Sequence, residues 1–173
     1  MKQSAITPDP QYYSRYINHV PDLDLSDALE QSLQTLLALD PAKLEPLGNY
    51  AYAPGKWTLK NVFQHITDTE RVFTYRTLLF ARNDQTTPAP FDQDEYAGNT
   101  FLDERSLKDV LDELIAVRIS TIALFKSFSD KILLKTGKNW KYEMSVLAMG
   151  FTIAGHQIHH LNIINDKYLN GGH

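Results

Sequence analysis

The sequence predicts an all-α protein: a four-helix bundle with a long crossover between its second and third helices and a short extra helix at the N-terminus. Three observations lead there. Four long stretches carry apolar residues at three- and four-residue steps, capping residues and breakers fall at their ends, and one connection of about twenty residues lies in the middle.

The first helix is expected from Ser26, read as its N-cap, through Leu29, Leu33, Leu36 and Leu37, until Asp40-Pro41 interrupts it. The second begins after Pro54-Gly55-Lys56-Trp57 with Thr58 as its cap. It continues through Val62, Ile66, Thr69, Phe73 and Phe80 to about Arg82. From Asn83 to Arg105 runs the connection, with Pro88, Pro90 and Gly98 inside it. Two antiparallel neighbours do not need so long a link, so it should cross over or cover something, leaving the second and third helices parallel. The third helix starts at Ser106, carries Leu107, Val110, Leu111, Leu114, Ile122 and Phe125, and ends near Ser127 to Asp130. The last starts near Ser145 and carries Val146, Met149, Ile153, Ile163 and Ile164, with Asn170-Gly171-Gly172 as its stop. Gln11 to Val20 reads as a short extra helix ended by Pro21. No repeat divides the chain, and residues 1–173 are expected to form a single domain.

Composition narrows the function. The chain has 173 residues, 43% of them hydrophobic and 22% charged, with 17 Lys and Arg against 21 Asp and Glu and a net charge of −4. That balance argues against a general grip on nucleic acid or anionic lipid, either of which needs a surplus of basic side chains. No stretch approaches the ~20 apolar residues of a bilayer span, and the first twenty residues lack a signal-peptide run, so a cytoplasmic location is expected. The chain has no cysteine. Disulfide scaffolds, thiolate metal sites and cysteine nucleophiles are thereby excluded, leaving histidines and carboxylates as the strong metal ligands.

The residues that point to chemistry are the six histidines: His19, His65, His156, His159, His160 and His173. His156 and His160, in the run HQIHH, are four apart, hence about 40° apart around a helix and about 6 Å along it, a separation at which two imidazoles share one ion. They continue the apolar stripe of the last helix and so should face the interior. His65 lies within the apolar series of the second helix. Bundles build metal sites from facing helices, so the expected centre is His65, His156 and His160 around one divalent ion. The alternative is a set of ordinary hydrogen-bonded core histidines. His159 should lie at the rim, and His19 and His173 receive no role.

At these residues the sequence resembles the DinB-like (YfiT-like) superfamily of four-helix-bundle metalloproteins. The resemblance covers nearly the whole chain. It rests on YYSRYINHV, PGKWTLKNVFQHITDTERVFTYR, FDQDEYA, SLKDVLDELIAVR and HQIHHLNII in that order. It implies nickel or zinc on the second-helix histidine and the two last-helix histidines, here His65, His156 and His160, and a homodimer. Some relatives are transferases that use a low-molecular-weight thiol such as bacillithiol, mycothiol or glutathione, and others are metal-dependent hydrolases. Where relatives often carry Glu after the first histidine of the last helix, this chain has Gln157, whose neutral amide cannot serve as the base of an H-E-x-x-H protease. The expected function is therefore metal-dependent transfer with a low-molecular-weight thiol. A metal-dependent hydrolase is the second reading, and a non-catalytic metal-binding stress-response protein or structural dimer the third. A small molecule is the expected substrate, with neither nucleic acid nor membrane as a partner.

Other residues complete the expectations. Asp68, three residues after His65, is a candidate to orient a ligand imidazole or a bound water; the alternative is an intrahelical charge. Glu70 is read as a surface residue. Arg76 and Arg118 lie in apolar stretches and are read as structural ion pairs, with binding of a substrate carboxylate as the alternative. The segment from Phe91 to Tyr96 is a candidate to close over the bundle end and supply an acid or a phenol. Trp57 should pack that end as a hydrophobic staple.

Overall fold

In the computed structural model, which describes residues 1–170, short N-terminal turns lead into α1 (Ser14–Ile17). Then come α2 (Leu25–Leu37), α3 (Pro41–Leu44) and the long α4 (Leu59–Ala81). The crossover carries α5 (Gln93–Gly98), followed by α6 (Leu107–Lys126) and α7 (Asp130–Leu133). A hairpin of β1 (Thr136–Asn139) and β2 (Tyr142–Ser145) precedes α8 (Val146–Ile163), which runs on into a wide π-type turn at Ile164–Leu169. The expected stop at Gly171-Gly172 and the residue His173 lie outside the described residues.

Local chemistry sets the long helices. The Thr58 hydroxyl accepts from the Asn61 amide, and the Asn61 side chain reaches back to Thr58, closing a capping box at the start of α4. Ser106 and Asp109 do the same for α6, and Ser145 caps α8 through the Ala148 amide. One boundary moves: α2 begins at Leu25 with Asp24, rather than Ser26, in the cap position. Asp24 instead faces the N-terminal amine at 3.0 Å, so tertiary pairing fixes this helix start.

Side-chain pairs define how the helices run. Gln64 with Arg105 and Glu113, then Glu70 with Arg118, rise together along α4 and α6, so these helices are parallel, as the crossover predicts. Ser32 meets Gln157, and Leu25 lies beside Gly150, so α2 and α8 are parallel too. The two parallel pairs oppose each other. Lys126 pairs with Glu30 while Arg118 reaches Ser32, and His65 near the start of α4 meets His156 and His160 toward the end of α8.

Two apolar clusters fill the bundle. One gathers Leu29, Phe73, Phe80, Phe125, Met149 and their neighbours; the other gathers Leu36, Phe63, Ile66, Leu111, Leu114 and theirs. On α4, α6 and α8 the switch from one cluster to the other falls at a buried polar layer. Arg118 is 0% exposed and clasps Glu70 through two bonds of 2.8 and 2.7 Å, while its other nitrogen donates to the Ser32 hydroxyl. Glu70 is thus a core residue and not the surface residue expected, and Arg118 is the structural ion pair.

The hairpin is a feature that helical periodicity does not show. Its turn, at Trp140-Lys141, places Trp140 in the left-handed region with φ 57°, and neither of the two turn positions carries the glycine or asparagine that usually marks such a turn. It packs on the end of α4, where a Cβ on Gly137 would fall 1.9 Å from the Phe80 ring. At α1 and α8 the approach is between backbones: a Cβ on Gly155 would lie 2.0 Å from the backbone oxygen of Tyr16. Among the described residues no helix is long and apolar enough to cross a membrane.

Candidate functional site

His65 comes from the second turn of α4 and His156 and His160 from successive turns of α8. Nε2 of His156 lies 3.2 Å from Nε2 of His65 and 3.1 Å from Nε2 of His160. One ligating nitrogen of each residue falls within 4.8 Å of the others. The sequence-predicted trio is thus brought together by the antiparallel contact of the two helices.

Electrostatics keeps these rings neutral. Burial pushes His65 down to about 4, helped by the positive charge of His159 when protonated. Burial, with His65 and His159 nearby, takes His160 to about 2, and His156 is held well below the ordinary histidine range for the same reasons. Three neutral imidazoles with their nitrogens converging are in the protonation state that metal binding requires, and could hold an ion. In a tetrahedral site with nitrogens about 2.1 Å from the ion, neighbouring nitrogens are spaced by about 3.4 Å, so the observed separations fit a single divalent ion.

The surroundings orient the rings. Trp57 lies against His65 with ring centroids 4.7 Å apart, so it packs a ring of the trio as well as the apolar cluster at that end of the bundle. Tyr16 meets His156 and His159 edge-on at 5.2 and 5.4 Å. His159 is half-buried and touches His19 and His160 from the rim.

Asp68 is placed elsewhere. Its carboxylate accepts from Gln64 at 2.9 Å and faces Arg71 at 3.6 Å, in a charged network with Glu113 on the α4/α6 side, and burial raises its pKa. The group beside Nδ1 of His65 is the Thr69 hydroxyl, at 3.4 Å. A step of four residues stays over the same ridge of the helix, whereas the step of three to Asp68 turns toward α6. Gln157 also points away from the trio. Its amide donates to the Ser32 carbonyl at 2.9 Å, and the side chain is fully buried against α2.

A cavity of about 350 Å³ opens from His65 and His156. Tyr13, Tyr16, Phe73 and Trp140 form much of its wall, and Arg76 lies within it. The crossover contributes Phe91 and Gln93, while Asp94 lines a separate recess with His160; Tyr96 faces the pocket that holds Asp68. The tyrosines and Trp140 were not singled out as site residues from the sequence. The aromatic density of the segment around Tyr12, Tyr13 and Tyr16 was the available signal.

A helical bundle that assembles three interior imidazoles at the end of an aromatic cavity has a site between helices that could hold one metal ion. The chain belongs to the DinB superfamily, whose family model matches residues 17–164. It is similar in fold to YfiT from Bacillus subtilis, described as a probable metal-dependent hydrolase with an unusual four-helix bundle topology. That similarity has a TM-score of 0.62 at 14% identity, covering 94% of this chain and 90% of that one. A DinB-like protein from Bacillus cereus ATCC 10987 aligns with a TM-score of 0.55 at 18% identity, over 94% of this chain and 89% of that one. No curated protein matches the chain.

Proposed function

We propose that the chain is a metal-dependent enzyme for a small-molecule substrate, with nickel or zinc held by His65, His156 and His160, and that it transfers a low-molecular-weight thiol such as bacillithiol to an electrophile. The carrying observation is that the three Nε2 atoms converge at the end of a cavity whose lining holds phenols and no carboxylate.

A divalent cation bound there supplies stabilisation of a thiolate at neutral pH, so sulfur attack needs no carboxylate base beside the site. The chain's own residues do the rest. Burial keeps the imidazoles unprotonated and available as ligands. Tyr13, pushed up to about 12 by burial, stays a phenol that donates a hydrogen bond to an oxygen on the electrophile. The aromatic wall excludes water from a reactive sulfur. With no cysteine in the chain, the sulfur arrives with the co-substrate.

The second reading is a metal-dependent hydrolase. It is favoured by Asp94, a carboxylate in the recess that reaches His160, and by the description of YfiT. Cobalt-substituted protein titrated with bacillithiol or glutathione tests between the two. A sulfur-to-cobalt charge-transfer band supports transfer, and its absence together with ester or amide hydrolysis overturns transfer in favour of hydrolysis. Homodimerisation, implied by the family resemblance, is part of the same proposal and is read by sedimentation.

A further inference from the structure

Arg76 is the charged residue of the cavity that the chemistry above leaves unused. It lies eleven residues after His65 on α4, three turns on and within about 20° of the same face, about 16 Å further along the axis. Its side chain is buried, at 3% exposure. Among the described residues no Asp or Glu pairs with it, in contrast to Arg118 in the same bundle, which clasps Glu70. Nη1 donates to Oδ1 of Asn139 at 2.6 Å, Nη2 donates to the Ala89 carbonyl at 2.8 Å, and the Phe91 ring centre is 5.8 Å from Cζ.

These partners are all neutral. A guanidinium carries five N–H donors, so two acceptors leave it with donors to spare and its charge uncompensated. Taking a cation out of water is costly unless an anion or a full set of hydrogen bonds replaces the water. The cost is visible in the residue itself, since burial lowers the Arg76 pKa. An anion entering the cavity removes that cost, and a carboxylate matches the planar fork with two parallel bonds.

We propose that Arg76 binds the carboxylate of an elongated organic acid, whose apolar or aromatic body lies along Tyr12, Tyr13, Phe73 and Phe91 and whose far end reaches His65 and His156. The assignment of the far end as the reacting end rests on the metal reading above; the anion site does not. Because Arg76 and His65 stand three turns apart on α4 and line the same cavity, the substrate spans it lengthwise, and the chain length of best fit is what the titration below reads. A long arginine bonded to Asn139 of the hairpin and to Ala89 of the crossover also holds those two segments together, and the experiment separates that role from anion binding.

Chelator-treated, metal-free protein is titrated with ω-phenylalkanoic acids of increasing chain length and with the matching primary amides, followed by tryptophan fluorescence, since Trp140 lines the cavity. The acid of best length is expected to bind at least about tenfold more tightly than its amide, and added salt should weaken that preference. Arg76→Gln should abolish the preference and Arg76→Lys should retain part of it. Equal binding of acid and amide by the wild-type protein, or no binding of any acid in the series, overturns the proposal even if the variants do not fold. Metal bound in the untreated protein without an acid preference overturns this inference alone; an acid preference in a protein that never takes up metal overturns the metal reading alone.

Discussion

The hydroxyl of Thr69 sits 3.4 Å from Nδ1 of His65, one turn along the same helix. If Nε2 of His65, which is turned to its partners on α8, holds an ion, Nδ1 must carry the proton, and the Thr69 hydroxyl is then placed to accept it and hold the ring. Thr69→Val should therefore weaken divalent-metal affinity by about tenfold, at the low end for partners of ligand imidazoles. Asp68→Asn, on the other side of α4, should leave it unchanged. Competition with a chromophoric chelator measures both, and an equal loss in the two variants would contradict the placement.

Replacing a histidine of the trio is the more drastic change. Elemental analysis of untagged wild-type protein is expected to give close to one divalent ion per chain. His65→Ala, His156→Ala and His160→Ala should each lower that to a trace, while His159→Ala should not.

The legibility of this site in the sequence was uneven for physical reasons. The four long helices and their caps at Thr58, Ser106 and Ser145 could be read because periodicity and capping are local. The histidine trio could be read because HxxxH spacing puts two rings on one face and His65 sits on another apolar stripe. The hairpin is not visible in the helical periodicity because its turn rests on Trp140 in a left-handed conformation, with the Trp140 ring held among Tyr12, Tyr142 and Lys141. Glu70 was misplaced because its partner Arg118 is 48 residues away, and no spacing rule relates them.

Acid should destabilise the metal-free protein. His65 titrates near 4 when folded against about 6.5 when unfolded, so between those values the unfolded chain binds more protons and stability rises with pH. The contribution is complete above pH 6.5 and lost as pH falls toward 4, with about 3 kcal/mol from His65 alone. Urea unfolding at pH 7, 5.5 and 4.5 should show the decline, and His65→Gln should flatten it.

The Glu70–Arg118 pair, 3% and 0% exposed, should be costly to break from one side. Glu70→Gln leaves a buried guanidinium without its charge partner and should lose about 3 to 5 kcal/mol in urea unfolding. A Glu70→Leu, Arg118→Met double variant should recover much of that loss, because no charge is then stranded.

Close approach makes a sharper prediction at α1. Gly155→Ala inserts a methyl 2.0 Å from the Tyr16 carbonyl, so backbone must move. The expected result is a loss of at least about 2 kcal/mol, within the range for overpacking. Increased proteolysis within residues 11–20 should accompany it, whereas Gly98→Ala, with open space around it, should show neither.

The parallel pairing of α2 with α8 joins stretches of chain more than a hundred residues apart, as in the contact of Ser32 with Gln157. During synthesis α8 emerges after α2, α4 and α6, yet residues 146–157 are buried throughout and complete the cluster around Phe73, Phe80 and Phe125. Until that helix emerges, the nascent polypeptide exposes the interior faces of its earlier helices and depends on closing a very long loop to hide them. The same later arrival delivers His156 and His160, so the histidine trio cannot form until α8 has joined α4.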